Sequence, residues 1–378
     1  MPQIDTLLVD HGPGETRVAA ISGECVIEVY HHRHDLPSAG ALYKGRVGKP
    51  LPNANAIFVD IGLERPALMA CGPNRPPEGS PVAVRVVQPP RSEKGAKVAP
   101  ADAAMVKSAL EGHTGSAEPP VCLQAAEHPV AFCARVYGGG LKKVIVTPGD
   151  PDKKIAGMVG DIRVQTDTGD LFLQYGVDDA IEQALDPIAS FAGGGKLIIE
   201  PTAALVAVDV DAGPMSAPAA NTAAINALAR EVRVRGLSGP IIVDLIPAKG
   251  RNALVDKFKQ AVADDPVRTQ VSGLTPEGRL EINRRRSRPS LADIMLDESR
   301  SGQSSTDAIA FDALRQCVRT GLSSGSAKVL LRANDAVIAV LRGPMQGALK
   351  EAEATLKSPV TLQVTNGARI SYIDIVTS

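Results

Sequence analysis

Leu205-Val206-Ala207-Val208-Asp209-Val210-Asp211, then the helix-compatible run Ala219 to Arg235, then Ile241-Ile242-Val243-Asp244-Leu245-Ile246, is the stretch that decides the fold. Two apolar, β-branched strands joined by a helix-length crossover make the βαβ unit of a parallel pair. The strand period of two puts Asp209 and Asp211 on one face and Val208 and Val210 on the other. With the strands paired in parallel, Asp209 and Asp244 end near their C-terminal edge, where open α/β sheets place ligands. Neighbouring strands lie ~4.8 Å apart. Carboxylates crowded so closely repel one another, and a hard cation relieves that repulsion. Oxygen-only donors favour magnesium or manganese over zinc. Such a cation polarises a phosphoryl oxygen and lowers the pKa of a bound water, which suits phosphodiester hydrolysis. Spacing alone leaves a second reading open, in which these are strand-end aspartates that cap turns or form ion pairs.

Outward from this unit, Lys196 to Glu200 predicts a preceding strand, Val177 to Leu185 a short helix and Ala253 to Ala263 a following one. Near the N-terminus, Thr6 to Val9, Arg17 to Ile21 and Cys25 to Tyr30 read as strands, with a hairpin signal at Ser22-Gly23-Glu24. Between 41 and 100, short apolar strands such as Ala54 to Ile61 and Val82 to Val87, punctuated by Gly and Pro, suit a small barrel. Residues 101–170 read as a small α+β module, helical at Met105 to Glu111 and extended at Val130 to Val136 and Lys143 to Thr147. After a polar linker, Ser299 to Thr306, a C-terminal α+β unit follows. Its helices are predicted at Asp307 to Thr320 and Pro344 to Leu356, and its strands at Lys328 to Arg332, Val360 to Val364 and Ile370 to Val376.

The net charge of −1 means that bulk charge does not mark a nucleic-acid binder, so any phosphate-binding surface is local. The most concentrated basic run is Arg284-Arg285-Arg286 with Arg288. An odd count of 5 cysteines without a C-x-x-C pair argues against a disulfide framework and a thiolate zinc site. The N-terminal residues lack a secretory pattern, and no apolar run approaches the ~20 residues of a membrane span. The expectation is a reduced, cytoplasmic protein. In His31-His32-Arg33-His34, neighbours on a strand point to opposite faces, which argues against a metal site there.

Four segments, in order, resemble the ribonuclease E/G family. Ala41-Leu42-Tyr43-Lys44-Gly45-Arg46-Val47, followed by Ala56-Ile57-Phe58-Val59-Asp60-Ile61-Gly62-Leu63-Glu64-Arg65, resembles the start of its S1-type OB-fold. Glu200 to Gly213 resembles the strand with its first metal ligand, and Gly239 to Ile246 the strand with its second. Leu280-Glu281-Ile282-Asn283-Arg284-Arg285-Arg286-Ser287-Arg288-Pro289 resembles the basic segment after them.

The resemblance implies an α/β plus α+β multi-subdomain chain. An RNase H-like subdomain (1–38 and 170–200) would be interrupted by the S1-type OB-fold barrel (39–102) and a reduced sensor-like module (103–169). A DNase I-like catalytic subdomain (201–298) and a small α+β domain (299–378) would follow. It further implies a magnesium-dependent endoribonuclease, with manganese a possible substitute, acting on single-stranded RNA in processing or turnover. Asp209 and Asp244 would hold the metal, and Asp211 would orient water or add a ligand. Phe58 would stack a base, and Lys94, Arg284 and Arg286 would contact RNA, the two arginines sharing one face because they are two apart.

The chain also departs from the family pattern. Asp211 stands where Asn is usual, Pro247 where an acid is frequent, and Leu68 near the place of an aromatic. The phosphate pocket of the sensor has no match. The paired cysteines of the zinc link are missing, so neither zinc nor a zinc-linked dimer is expected. These departures sustain an alternative, an RNA-binding relative with little or no cleavage.

Overall fold

The computed structural model describes residues 3–52, 54–72, 74–90, 95–112, 118–148, 151–297, 302–325 and 328–378. Lys94, an RNA-binding candidate, lies outside them. The chain divides into two compact units. One comprises Met1–Asp35, Pro129–Arg284 and Ser290–Ser378; the other comprises Leu36–His128 and Arg285–Pro289. The first begins with an antiparallel meander, β1 (Thr6–Gly12), β2 (Glu15–Ser22) and β3 (Cys25–Arg33).

The second unit is a mixed structure around a closed barrel. Its elements are β4 (Leu42–Pro50), β5 (Ala56–Asp60), β6 (Ala67–Ala70), β7 (Pro81–Gln88), β8 (Lys97–Pro100), α1 (Ala103–Gly112) and β9 (Val121–Gln124). The order β5-β6-β8-β7-β4 closes because β4 also pairs with β5, giving five strands of OB type. A register shift between Val47 and Pro50 lets β4 serve several neighbours, with Leu42–Arg46 on β7 and Arg46–Pro50 on β5. Val47, Ile57, Val59, Met69, Val84 and Val86 fill the barrel. With so few aromatics, β-branched side chains do the filling.

Back in the first unit come α2 (Pro129–Tyr137), β10 (Lys143–Val146), α3 (Pro151–Val159), β11 (Arg163–Thr166), α4 (Leu171–Gln174) and α5 (Val177–Leu185). β10 and β11 extend the meander in parallel, giving the order β11-β10-β1-β2-β3. Two expectations are corrected here. Val130 to Val136, read as extended, is helix α2; Val130 and Cys133, three apart, are its buried positions, and Pro129 occupies its first turn. Residues 103–169 do not form one module: β9 pairs with β4 in the barrel unit, while β10 and β11 belong to the first sheet.

The decisive stretch lies in a second sheet. It is built from β12 (Ile188–Phe191), β13 (Gly195–Pro201), β14 (Val206–Asp211), α6 (Ala217–Val234), β15 (Gly239–Asp244), α7 (Asn252–Ala261), β16 (Thr269–Leu274) and β17 (Leu280–Arg284). The order is β12-β13-β14-β15-β17-β16, and β14–β15 is its one parallel pair. Both helices pack on one face, against Leu197, Val208, Val210, Ile241, Val243 and Ile282.

The C-terminal part holds α8 (Leu291–Met295), α9 (Thr306–Ser324), β18 (Val329–Ala333), α10 (Asp335–Arg342), α11 (Gln346–Leu356), β19 (Val360–Val364) and β20 (Ile373–Thr377), with sheet order β19-β18-β20. Helix α10 was not foreseen. Asn334 caps it by accepting from the Ala336 amide, a local signal of Asn before an apolar run. Helix α9 is tied to β2 by a buried pair, Arg315 Nη1 to Glu15 Oε2 at 2.7 Å. Burial alone would raise the Glu15 carboxyl, but His31, Arg315 and Arg33 outweigh it and hold it well below the usual carboxylate range. Among the described residues, no helix is long and apolar enough to cross a membrane.

Candidate active site

Strand alternation builds the site. In β14, Val206, Val208 and Val210 are buried against the helices, while Asp209 and Asp211 are exposed on the open face. β15 repeats the pattern, with Ile241 and Val243 inside and Asp244 exposed at its end. The parallel register sets Asp209 directly beside Asp244. Among the described residues, Asp209 makes no side-chain hydrogen bond or ion pair. Asp244 has one loose partner, Arg279, whose Nε lies 3.8 Å from Oδ1; the two side chains are 50% and 62% exposed.

Asp211 shares the face of Asp209, one rung further along, opposite Lys196 of β13 rather than Asp244. Its Oδ1 accepts the Gly213 amide at 2.9 Å, which closes the turn leaving the strand. Gly213 has φ +54°, and a Cβ there would lie 2.3 Å from the Gly194 carbonyl, so this turn requires glycine.

The turn after β15 is held from below. Asn221, 1% exposed on α6, donates Nδ2 to the Ile246 carbonyl at 2.8 Å and accepts the Ile246 amide at 3.0 Å. A buried amide with both ends used fixes the backbone two residues past Asp244. The sequence carries a signal for it, because Asn221 falls on the apolar stripe of Ala224, Ile225 and Leu228.

Arg284 is a correction. Leu280, Ile282 and Arg284 alternate on the buried face of β17, and Arg284 is 1% exposed. Its Nε and Nη2 hold Asp265 at 2.7 and 3.0 Å, and Nη1 donates to the Leu237 carbonyl at 2.9 Å. A guanidinium with every nitrogen engaged inside the core does not reach RNA. Arg286, beyond the strand end and assigned to the barrel unit, is exposed.

In the barrel, Phe58 is half-buried between Ile57 and Val59, which are fully inside, so its ring belongs to the outer surface. Its cross-strand neighbour is Leu68, which in turn neighbours Lys97. A Cβ at Gly48 would lie 3.6 Å from the Phe58 Cβ, so glycine leaves that flank of Phe58 uncovered.

The donor set can be tested against a cation. Among the described residues, no group of three or more His, Cys, Asp or Glu is arranged to hold a metal by itself. Two exposed carboxylates in register, all-oxygen and without histidine or thiolate, fit magnesium, which binds through one or two carboxylates plus water and substrate phosphate. They do not fit a closed four-ligand zinc site.

Residues 150–287 match a family model described as Ribonuclease E/G family. Ribonuclease G of Salmonella typhimurium is 25% identical over 488 aligned positions, covering 98% of this chain and 99% of that protein. Ribonuclease G of Haemophilus influenzae is 24% identical over 487 positions with the same coverage. Ribonuclease E of Escherichia coli is 32% identical over 143 positions, covering 35% of this chain and 14% of that protein. An alignment of 488 positions against 378 residues leaves at least 488 − 378 = 110 positions facing gaps, so this chain is a shortened relative.

Proposed function

The chain belongs to the ribonuclease E/G family, and from that premise we propose that it is a divalent-metal-dependent endoribonuclease that hydrolyses single-stranded RNA in RNA processing or turnover. One observation carries this reading above all. Asp209 and Asp244 stand side by side on the parallel strands, exposed, inside the segment that matches the family.

Asp209 and Asp244 hold the cation, magnesium or in its place manganese. When bound, it supplies Lewis-acid polarisation of a phosphoryl oxygen and a water of lowered pKa. The remaining work belongs to the chain. Asn221 fixes the backbone after Asp244, so that this carboxylate does not swing away from Asp209. Asp211, with Oδ1 anchored to the Gly213 amide, presents its other oxygen on the same face to orient water or the substrate. The barrel unit binds the strand, Phe58 stacking a base and Arg286 meeting phosphate. In subdomain terms, the β1–β3 sheet with β10 and β11 is the RNase H-like part and the β12–β17 layer the DNase I-like part, so β12 and β13, expected in the RNase H-like part with 170–200, go instead to the DNase I-like part because they pair with β14. No zinc takes part.

The test is cleavage of end-labelled single-stranded RNA with magnesium and with chelator. Cleavage should require the metal and be lost in Asp209→Asn and in Asp244→Asn, while RNA binding stays within about twofold. Undiminished cleavage in both variants would remove the site assignment. Binding without cleavage in the parent protein would leave a non-catalytic RNA-binding relative.

A further inference from the structure

We propose that Arg279 is a substrate-contacting residue of this site, holding Asp244 while the carboxylate pair is empty and passing to an RNA phosphate once a divalent cation takes the pair. This rests on the reading of Asp209 and Asp244 as the metal-binding pair.

The open face of the sheet is acidic where the chemistry is placed. Asp209, Asp211, Asp244 and Glu281 are all exposed on it, and Lys196 stands in register with Asp211 on β13, the side of β14 away from Asp244. A phosphate approaching that face meets like charge. A divalent cation offsets the central pair, but a polyanion that must lie along the face needs a further positive group beside it. The basic run of the sequence does not supply one from β17, because Arg284 is sealed against Asp265. Arg279, just before β17, does.

Its geometry suits an exchangeable contact. At 3.8 Å the Arg279–Asp244 pair is longer than a hydrogen bond, and both side chains are half-exposed or more. Pairs of this kind are weak and screened by salt, so the guanidinium can leave Asp244 for a phosphate, where it offers a planar fork of donors. The backbone beneath it is fixed. The Thr275 amide donates to the Arg279 carbonyl at 2.8 Å, and the Gly278 amide to the Thr275 carbonyl at 2.8 Å. The Arg279 amide donates to the Thr275 hydroxyl at 3.2 Å. Arg251, the residue before α7, donates Nη1 to the Gly278 carbonyl at 3.2 Å, and Gly278, at φ +89°, leaves the room its guanidinium occupies. An exposed, loosely paired side chain on a hydrogen-bonded turn beside Asp244 is the arrangement an exchange requires.

The exchange predicts opposite effects of one substitution. Arg279→Gln should raise KM for single-stranded RNA about tenfold, the loss of one charged hydrogen-bonding contact, with kcat within about twofold. The log–log dependence of KM on KCl should become shallower by about 0.7, one phosphate contact on a single strand. If turnover is too slow, the same slope is read on Kd by fluorescence anisotropy. In the RNA-free protein, calorimetric magnesium affinity should tighten about threefold, because Asp244 loses a competing cation. Arg279→Lys should recover part of the KM and the whole salt slope. An unchanged KM and slope in Arg279→Gln would overturn the proposal, and so would magnesium binding that weakens together with RNA binding, since that marks general damage to the site. Asp209→Asn and Asp244→Asn in the same calorimeter keep the two claims apart. If they leave magnesium binding intact, the metal pair itself is wrong, whatever Arg279 does.

Discussion

Replacing Arg284 by Met should cost far more stability than RNA affinity, and replacing Arg286 should do the reverse. The Arg284 guanidinium is 1% exposed, and the Asp265 carboxylate it grips is fully buried, at 0%. Among the described residues, removal leaves Asp265 the Val267 amide at 3.0 Å, the Thr269 hydroxyl at 3.3 Å and the charge of nearby Arg233, and leaves the Leu237 carbonyl without its donor. Breaking one side of a buried ion pair costs about 3–5 kcal/mol. In a unit of this size that corresponds to a fall in Tm on the order of 10 °C. Removing both charges, Arg284→Met with Asp265→Leu, should restore most of the loss, because no buried charge then stands alone. Arg286→Met, at an exposed position, should shift stability by no more than about 0.5 kcal/mol, yet weaken RNA binding and flatten its salt dependence by about one contact. Thermal melts followed by circular dichroism, with RNA anisotropy well below the melting range, separate the two. If Arg284→Met melts with the parent protein while its RNA affinity falls several-fold, Arg284 faces the substrate and the reading of β17 fails.

Asn221→Ala should leave the Ile246 amide without a partner and lower stability by about 1–3 kcal/mol; RNA cleavage should drop through kcat while KM holds, and a rise in KM alone would remove the positioning role. Phe58→Ala should weaken single-stranded RNA binding by about 1–3 kcal/mol, the range for one base stacked on an aromatic ring, and unchanged affinity would take Phe58 out of the strand path. Acid should destabilise the protein in two stages, read as urea midpoints from pH 7.5 to 4. Burial lowers His11, His31 and His32 below 6.5, and Glu15 is held well below 4.5. Each group then binds fewer protons folded than unfolded, so its contribution is present above the unfolded value and declines as pH falls toward the folded one. A midpoint that holds or rises from pH 7.5 to 5 would contradict this, and Glu15→Gln should reduce the decline below pH 4.5, to which the lowered Asp10 carboxyl also contributes.

What the sequence disclosed, it disclosed through periodicity. The alternation Val206, Val208, Val210 against Asp209 and Asp211 gave the buried and open faces correctly, and a crossover of helix length gave the parallel pairing that sets Asp209 beside Asp244. The same rule applied to Leu280-Glu281-Ile282-Asn283-Arg284 buries Arg284; the expectation that Arg284 and Arg286 share an exposed face uses the period of two without carrying it back to Leu280 and Ile282, which fix that face as the buried one. Residues Val130 to Val136 are apolar enough for either structure, and only packing on the first sheet selects the helix. Arg279 lies 35 residues from Asp244 on a turn, and no local pattern announces their approach. The division of 103–169 between two units depends on which sheet edge each short strand finds, and that is a tertiary property.

The acid pair itself favours an enzyme over a passive RNA-binding protein. Like charges directly opposite one another on adjacent strands destabilise a sheet. Asp209 makes no side-chain hydrogen bond or ion pair among the described residues, and Asp244 has only the loose contact with Arg279. Among the described residues, the contacts at this edge do not offset that electrostatic cost, whereas buried charges such as Arg284 with Asp265 and Arg315 with Glu15 are matched. For binding an RNA backbone, two bare carboxylates are worse than none, since they repel phosphate. They become favourable only with a cation between them and the substrate. A surface meant solely to hold RNA would do better with asparagine at both positions, so Asp209→Asn and Asp244→Asn should each stabilise the RNA-free protein slightly while abolishing cleavage. Loss of stability in both variants would mean that the carboxylates have structural partners after all, and the case for a site built around a cation would lose its physical basis.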